Sequence, residues 1–250
     1  MKEQINLGKW TEESLSLLLK EASGINDTGG RTEFLSKHFL NTAYKESTLT
    51  GDINTPEVFV INLEEVDCFT FIEYIEAMRR SGAFNEFKQH LKEVRYRSGI
   101  IDFKNRNHFF TDWKVFNSGF VFDVTKDIGA GRGREVTKRL NEKQDGTPFL
   151  PGIACAQREI TFLQSVYIDD SVMEKLKTGD YIGIYSDMEG LDVSHAGIVV
   201  KGQDAVRLRH ASSLQKHRKV IDEDLRDYLE AKPGIIVLRP GDLIKAVGKA

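Results

Sequence analysis

Apolar residues recur at helical spacing through the first hundred positions and then give way to the short alternation of strands. Thr11, followed by Glu12 and Glu13, stands as a cap ahead of Leu15, Leu18, Leu19 and Ala22, which predicts a helix ended by the glycine-rich GINDTGG. RTEFLSKHFLNTAY carries a second helical stretch to Tyr44, and TLTGDINTPEVFVINLEEV, broken by Gly, Pro and Asn, reads as a long loop. Cys68, Phe71, Ile72, Ile75 and Met78 then form one stripe of an amphipathic helix, and Phe84, Phe87, Leu91 and Val94 mark another. Later, YIGIYS, HAGIVV, AVRLRH and GIIVLRP are β-branched runs bounded by Gly, Asp or Pro, as in a mostly antiparallel sheet. Helices first and strands afterwards is an α+β order. With no internal repeat and no low-complexity linker, the reading is a single domain over residues 1–250 with an insertion around residues 100–160.

Composition narrows the function classes. A chain of 250 residues with 40% hydrophobic residues can bury a large core. A net charge of −3, with Lys and Arg interleaved among Asp and Glu, argues against a nucleic-acid surface. Two cysteines are too few for a disulfide framework and lack the spacing of a zinc site. No apolar run approaches the ~20 residues of a membrane span, and LSLLL is too short for a signal-peptide core. The expectation is a soluble protein, either cytoplasmic or exported with its signal absent from this chain.

Cys68 is where chemistry enters. As part of a helical stripe it reads as a buried small hydrophobe. Asp67 before it is a good N-cap, however, and places the thiol in the first turn, where free N–H groups and the helix dipole favour a thiolate with a pKa below the usual ~8.5. A base is offered by SHAGIVVKGQDAVRLRHASS: a two-residue turn at Gly202-Gln203 pairs His195 with His210 and Val199 with Val206 across one ladder. One imidazole would then take the thiol proton while the other orients it. Two structural histidines in an exposed hairpin is the alternative.

DCFTF, LKTGDYIGIY, HAGIVV and RHASS, in this order, resemble the motifs of the NlpC-type cell-wall peptidases. DCFTFIE, RNHFFTDW and GLDVSHAGIVV resemble more narrowly their N-acetylmuramoyl-L-alanine amidase-like branch. The likeness runs from about Tyr44 to Pro240, so residues 1–43 are read as a helical extension and residues 44–240 as the core. It implies a papain-like α+β fold with N-terminal helices on a mostly antiparallel sheet. Cys68 would be the nucleophile, His195 the general base and His210 the orienting third member, with no metal or other cofactor. Tyr44 matches a tyrosine near the oxyanion site, although a loop insertion is then needed, since it precedes Cys68 by 24 residues. Asp67 and Ser194, beside the nucleophile and the base, join this oxyanion and substrate-binding set. The implied substrate is the bond between N-acetylmuramic acid and L-alanine in peptidoglycan or its muropeptide fragments, and the implied location is periplasmic or otherwise exported. A γ-D-glutamyl-diamino-acid endopeptidase and a catalytically silent cell-wall-binding module remain as alternatives.

Arg106, Asn107, His108, Asp112 and Trp113 form a polar-aromatic cluster that reads either as a muropeptide subsite or as a structured loop anchored by Trp113 and Phe109. GAGRGRE lacks the ending of a phosphate loop and reads as a flexible loop before a helix. Cys155 reads as a buried structural cysteine and His217 as exposed.

Overall fold

The computed structural model describes residues 2–242. Strand β1 (Glu3–Asn6) precedes α1 (Glu12–Ser23), where the Thr11 hydroxyl accepts from the Ser14 N–H at 3.1 Å and Ser14 in turn accepts from the Thr11 N–H at 2.9 Å. Helix α2 (Thr28–Lys37) is capped by Asp27 and stops well short of Tyr44. Tyr44 instead belongs to β2 (Ala43–Tyr44), and the predicted loop after it holds β3 (Phe59–Asn62) and β4 (Glu65–Val66). Strand β3 pairs in parallel with β1, whose polar, exposed EQIN carries no alternating signal.

Two central helices follow, α3 (Cys68–Arg79) and α4 (Phe84–Arg95), the latter burying Phe84, Phe87, Leu91 and Val94 as its spacing requires. Helix α3 is not amphipathic. Thr70, Glu73, Glu76 and Arg79 are as buried as Phe71 and Ile75, because α3 is packed on all sides. Its charges are matched internally: Arg95 Nε bonds Glu73 at 2.7 Å, and Arg79 Nη2 bonds Glu76 at 2.6 Å.

The second half of the chain contributes α5 (Phe110–Phe116), β5 (Val121–Asp123), α6 (Thr125–Gly129), β6 (Arg134–Leu140), β7 (Ala156–Gln164), α7 (Asp170–Lys175), β8 (Tyr181–Tyr185), β9 (Val193–Lys201), β10 (Val206–Ser212), β11 (Lys219–Asp224), α8 (Leu225–Leu229) and β12 (Gly234–Pro240). Ten strands form one sheet in the order β4-β2-β11-β10-β9-β8-β12-β7-β6, with β5 also on β12. Among the described residues its only parallel pair is β2 with β4, so the expected, mostly antiparallel character holds. Residues 100–160 are part of this sheet through β5, β6 and β7. GAGRGRE leads into β6, not into a helix. The two faces are covered separately, Tyr181, Ala196 and Ile198 by the N-terminal helices and Ile182, Val199 and Leu208 by elements that include α7 and α8.

The hairpin that carries the histidines differs from expectation in its turn. Lys201 pairs with Val206, so the loop has four residues, Gly202 to Ala205, and Leu208 faces Val199. The predicted pairing of His195 with His210 is off by two positions. A shift of two keeps both side chains on one face of the sheet, since strand side chains alternate with period two.

Candidate active site

Strand β4 delivers the chain to Asp67, whose Oδ1 accepts from the N–H groups of Phe69 at 3.0 Å and Thr70 at 2.7 Å. Thr70 Oγ1 returns the bond by accepting from the Asp67 N–H at 3.0 Å. This capping box uses up the first-turn donors other than the Cys68 N–H itself. The β9–β10 ladder ends at the pair Ile198 and Arg209, so Ala196, which pairs with Gly183 of β8, has no partner on β10. The Ala196 N–H donates to the Cys68 sulfur.

Cys68 is half-buried and free. Burial, and after it the Asp67 carboxylate, push the thiol up to about 12, against the opposing pull of the Ala196, Cys68 and Phe69 N–H groups. The expected lowering toward neutrality is thus reversed, first because the sulfur is desolvated and second because the cap that starts the helix sets a negative charge beside it. Alkylation of Cys68 by iodoacetamide is expected to be slow at pH 7 and to rise about tenfold per pH unit through the alkaline range, as the thiolate fraction does. A rate plateau near neutrality would contradict this environment.

His195 and His210 are joined directly. Nε2 of His195 lies 2.7 Å from Nδ1 of His210, with the rings edge to face at 90°. Nε2 of His210 in turn lies 2.7 Å from Oε2 of Glu223 in β11. Burial, followed by the nearby His210 and Lys232, pushes His195 down to about 3, and burial also lowers His210 despite the opposing pull of Glu223. Both rings are therefore neutral at pH 7. Tyr228 in α8 covers them, with its ring centroid 5.1 Å from that of His210 and 6.2 Å from that of His195.

Gly197, between His195 and Val199, makes the close approach possible. A Cβ there would meet the Arg209 carbonyl at 2.9 Å and the His210 Cβ at 3.0 Å. Gly197→Ala is expected to force β9 and β10 apart and cost about 1–3 kcal/mol, the usual penalty of overpacking. Activity should fall further than the lost stability explains. Wild-type turnover in that variant would show that the strand spacing is not critical.

Tyr44 reaches this place through pairing, not through helix geometry: Tyr44 lies opposite Val66, two residues before Cys68, so the excursion between them closes on itself. Its hydroxyl is pushed up to about 12 by burial first and then by Cys68, and remains an O–H donor at neutral pH. The Arg218 guanidinium sits over the ring, 4.8 Å from its centroid.

The remaining candidates do not join this group. Trp113 is fully buried, with its ring edge-on to Tyr181, and offers no face to a sugar. The buried Asn107 side chain donates to the Val94 carbonyl at 2.9 Å. Arg106 is held by Glu57 at 2.5 Å, His108 Nε2 lies 2.8 Å from the Phe103 carbonyl, and Asp112 is bonded by Arg158 at 2.8 Å. Arg106, Asn107 and His108 thus lie in the loop that leads to α5, Asp112 and Trp113 lie in α5 itself, and the contacts of all five side chains are within the protein. Ser194 is exposed, at the irregularity in β9 where Ile184 pairs with His195 and Tyr185 with Val193. Cys155 is half-buried, not buried, and His217 is half-buried, 3.9 Å from Glu223.

Glu223 and Tyr228 escaped the sequence reading. The first lies in KVIDED, whose charged residues mask a strand, and the second in a helix of five residues.

Among the described residues no helix is long and apolar enough to cross a membrane. No curated protein matches the sequence. Among solved structures, the chain is similar to an N-acetylmuramoyl-L-alanine amidase from Bacteroides uniformis, at 27% identity over 86% of this chain and 99% of the other, with a TM-score of 0.71. It shares its fold with a Legionella pneumophila protein of the DUF1460 family, at 20% identity over 92% of this chain and 94% of the other and a TM-score of 0.77. The AmiA-like family model, described as N-acetylmuramoyl-L-alanine amidase-like, matches residues 34–235, which take in every residue of the cysteine–histidine site, and the chain belongs to that family.

Proposed function

We propose that the protein is a cysteine hydrolase of NlpC-type, papain-like architecture that cleaves the amide between N-acetylmuramic acid and L-alanine in peptidoglycan or its fragments, outside the inner membrane. The observation that carries this reading is the contact between the Cys68 sulfur and the backbone of Ala196, next to a histidine whose far nitrogen is bonded to a second histidine.

With thiol and imidazole both neutral at rest, the reaction starts by proton transfer from sulfur to Nδ1 of His195, the nitrogen not engaged by His210. The sulfur attacks the lactyl carbonyl carbon, and the carbonyl π electrons move onto oxygen. That oxyanion is met by the Cys68 N–H, which Asp67 does not engage, and by the Tyr44 hydroxyl. The tetrahedral centre collapses, the C–N bond breaks, and His195 returns its proton to the departing alanine nitrogen. Water, deprotonated by His195, then hydrolyses the thioester to give the free lactyl carboxylate and the restored thiol.

The test is the mass of the products from defined muropeptides. Release of the intact stem peptide beginning at L-alanine, with a sugar that ends in a carboxylate, is the expected result. A γ-D-glutamyl cut, or no cut at all, replaces the proposal with the endopeptidase or with a silent binding module.

A further inference from the structure

We infer that Glu223 is a positioning residue of this site: through the chain Glu223–His210–His195 it fixes which nitrogen of His195 is free to take the proton. The inference rests on the cysteine-hydrolase reading above and names a member that the histidine motifs do not contain.

The argument uses only donor and acceptor counts. A carboxylate accepts hydrogen bonds and has none to donate. Glu223 Oε2, 2.7 Å from His210 Nε2, therefore requires the proton of His210 to sit on Nε2. A neutral imidazole carries one N–H, so His210 Nδ1 is left as an acceptor. The 2.7 Å contact from His195 Nε2 to that acceptor then requires the proton of His195 to be on Nε2 as well. His195 Nδ1 is left with a lone pair. Reversing the polarity at position 223 would reverse every bond in the chain and place a proton on the nitrogen that must act as the base.

Burial makes the sequence strict. Desolvation disfavours the charged form of both rings, and His210, only 1% exposed, has no ready water with which to choose another tautomer. Glu223 itself is reached by solvent, its side chain being 25% exposed. The fixed end of the chain thus lies at the surface, and the working end is on the residue that precedes Ala196, whose N–H donates to the sulfur. When His195 takes the thiol proton, the same carboxylate faces the developing positive charge through His210, an arrangement that costs no reorganisation at that moment. The other groups around Glu223 are His217 at 3.9 Å and Tyr228, whose hydroxyl is raised by burial and then by Glu223; neither competes for Oε2.

The experiment compares Glu223→Gln and Glu223→Ala with the wild type and with Cys68→Ala on one defined muropeptide. For Glu223→Ala, kcat is expected to fall about tenfold or more with KM little changed, as for other carboxylates that lock a catalytic histidine's tautomer. Formate, small enough to occupy the vacated and solvent-reached position, should restore part of kcat, whereas chloride should not. For Glu223→Gln, whose amide can donate as well as accept, nitrogen-15 NMR of the histidines should show the Nδ1-protonated form of His195 gaining population. Wild-type kcat in Glu223→Ala overturns the inference, as does a loss that formate leaves untouched with the histidine tautomers unchanged. Hydrolysis by Cys68→Ala would instead remove the underlying reading of the site, so the two failures are distinct.

Discussion

Cys68→Ala is expected to lose hydrolysis of muramoyl-L-alanine substrates by about 10⁵-fold or more, the scale seen when a covalent nucleophile is deleted. The fold should survive. The side chain is half-buried at the first position of α3, and the cap at that end is built by Asp67 and Thr70, neither of which the substitution touches. Its thermal midpoint should therefore stay near that of the wild type, and the variant should still bind muropeptides. Cys155→Ala, altering the other free cysteine, which precedes β7, should keep wild-type turnover. Product formation by liquid chromatography separates the outcomes: comparable rates from Cys68→Ala and wild type would mean that the thiol is not the attacking group.

The largest stability effect is expected from Glu76→Ala. Glu76, Arg79 and Tyr181 are all fully buried. Arg79 donates to Glu76 through Nε at 2.5 Å and Nη2 at 2.6 Å, Tyr181 donates to Glu76 at 2.6 Å, and Arg79 Nη1 reaches the Gly241 carbonyl at 3.1 Å. Taking away the carboxylate strands a guanidinium away from water, a change worth roughly 3–5 kcal/mol. The double variant Glu76→Met with Arg79→Met removes both charges at similar volume and should recover most of that loss. Urea unfolding reads the result as a lower midpoint at unchanged slope. A single variant no less stable than the double would mean that the pair is not coupled as its geometry implies. The site is affected too, because this cluster ties the far end of α3 to β8 and to the chain following β12, while the near end presents the sulfur.

Much of this arrangement was legible from residue types alone. The caps at Thr11 and Asp67 announced two helices because side-chain acceptors at a helix start act locally. The alternating strands β8, β9, β10 and β12 were visible because they line a core. His195 and His210 were correctly placed on one face even though the turn was misjudged, since an error of two residues preserves parity. What could not be read was whatever depended on distant partners. Glu73, Glu76 and Arg79 resemble an exposed helix face until Arg95 and Tyr181 are brought against them. The Arg106 to Trp113 cluster offered the right chemistry for ligand binding, but Glu57, Phe103 and Arg158 consume it. The direction of the Cys68 shift also lay outside the local pattern, because the helix-terminus rule counts N–H donors and omits the desolvation that the third dimension imposes.

The long open sheet has two ends, and each bears on how neighbouring copies of the chain meet. At one end β4 is only two residues long, too short to template an added strand. At the other, β6 exposes the charged Arg134, Glu135 and Arg139, so a second copy laid along it would have to desolvate charges to gain its backbone bonds. Neutralising those side chains would convert a guarded margin into a template for edge-to-edge self-assembly, a hazard for concentrated stocks of any variant designed on this scaffold.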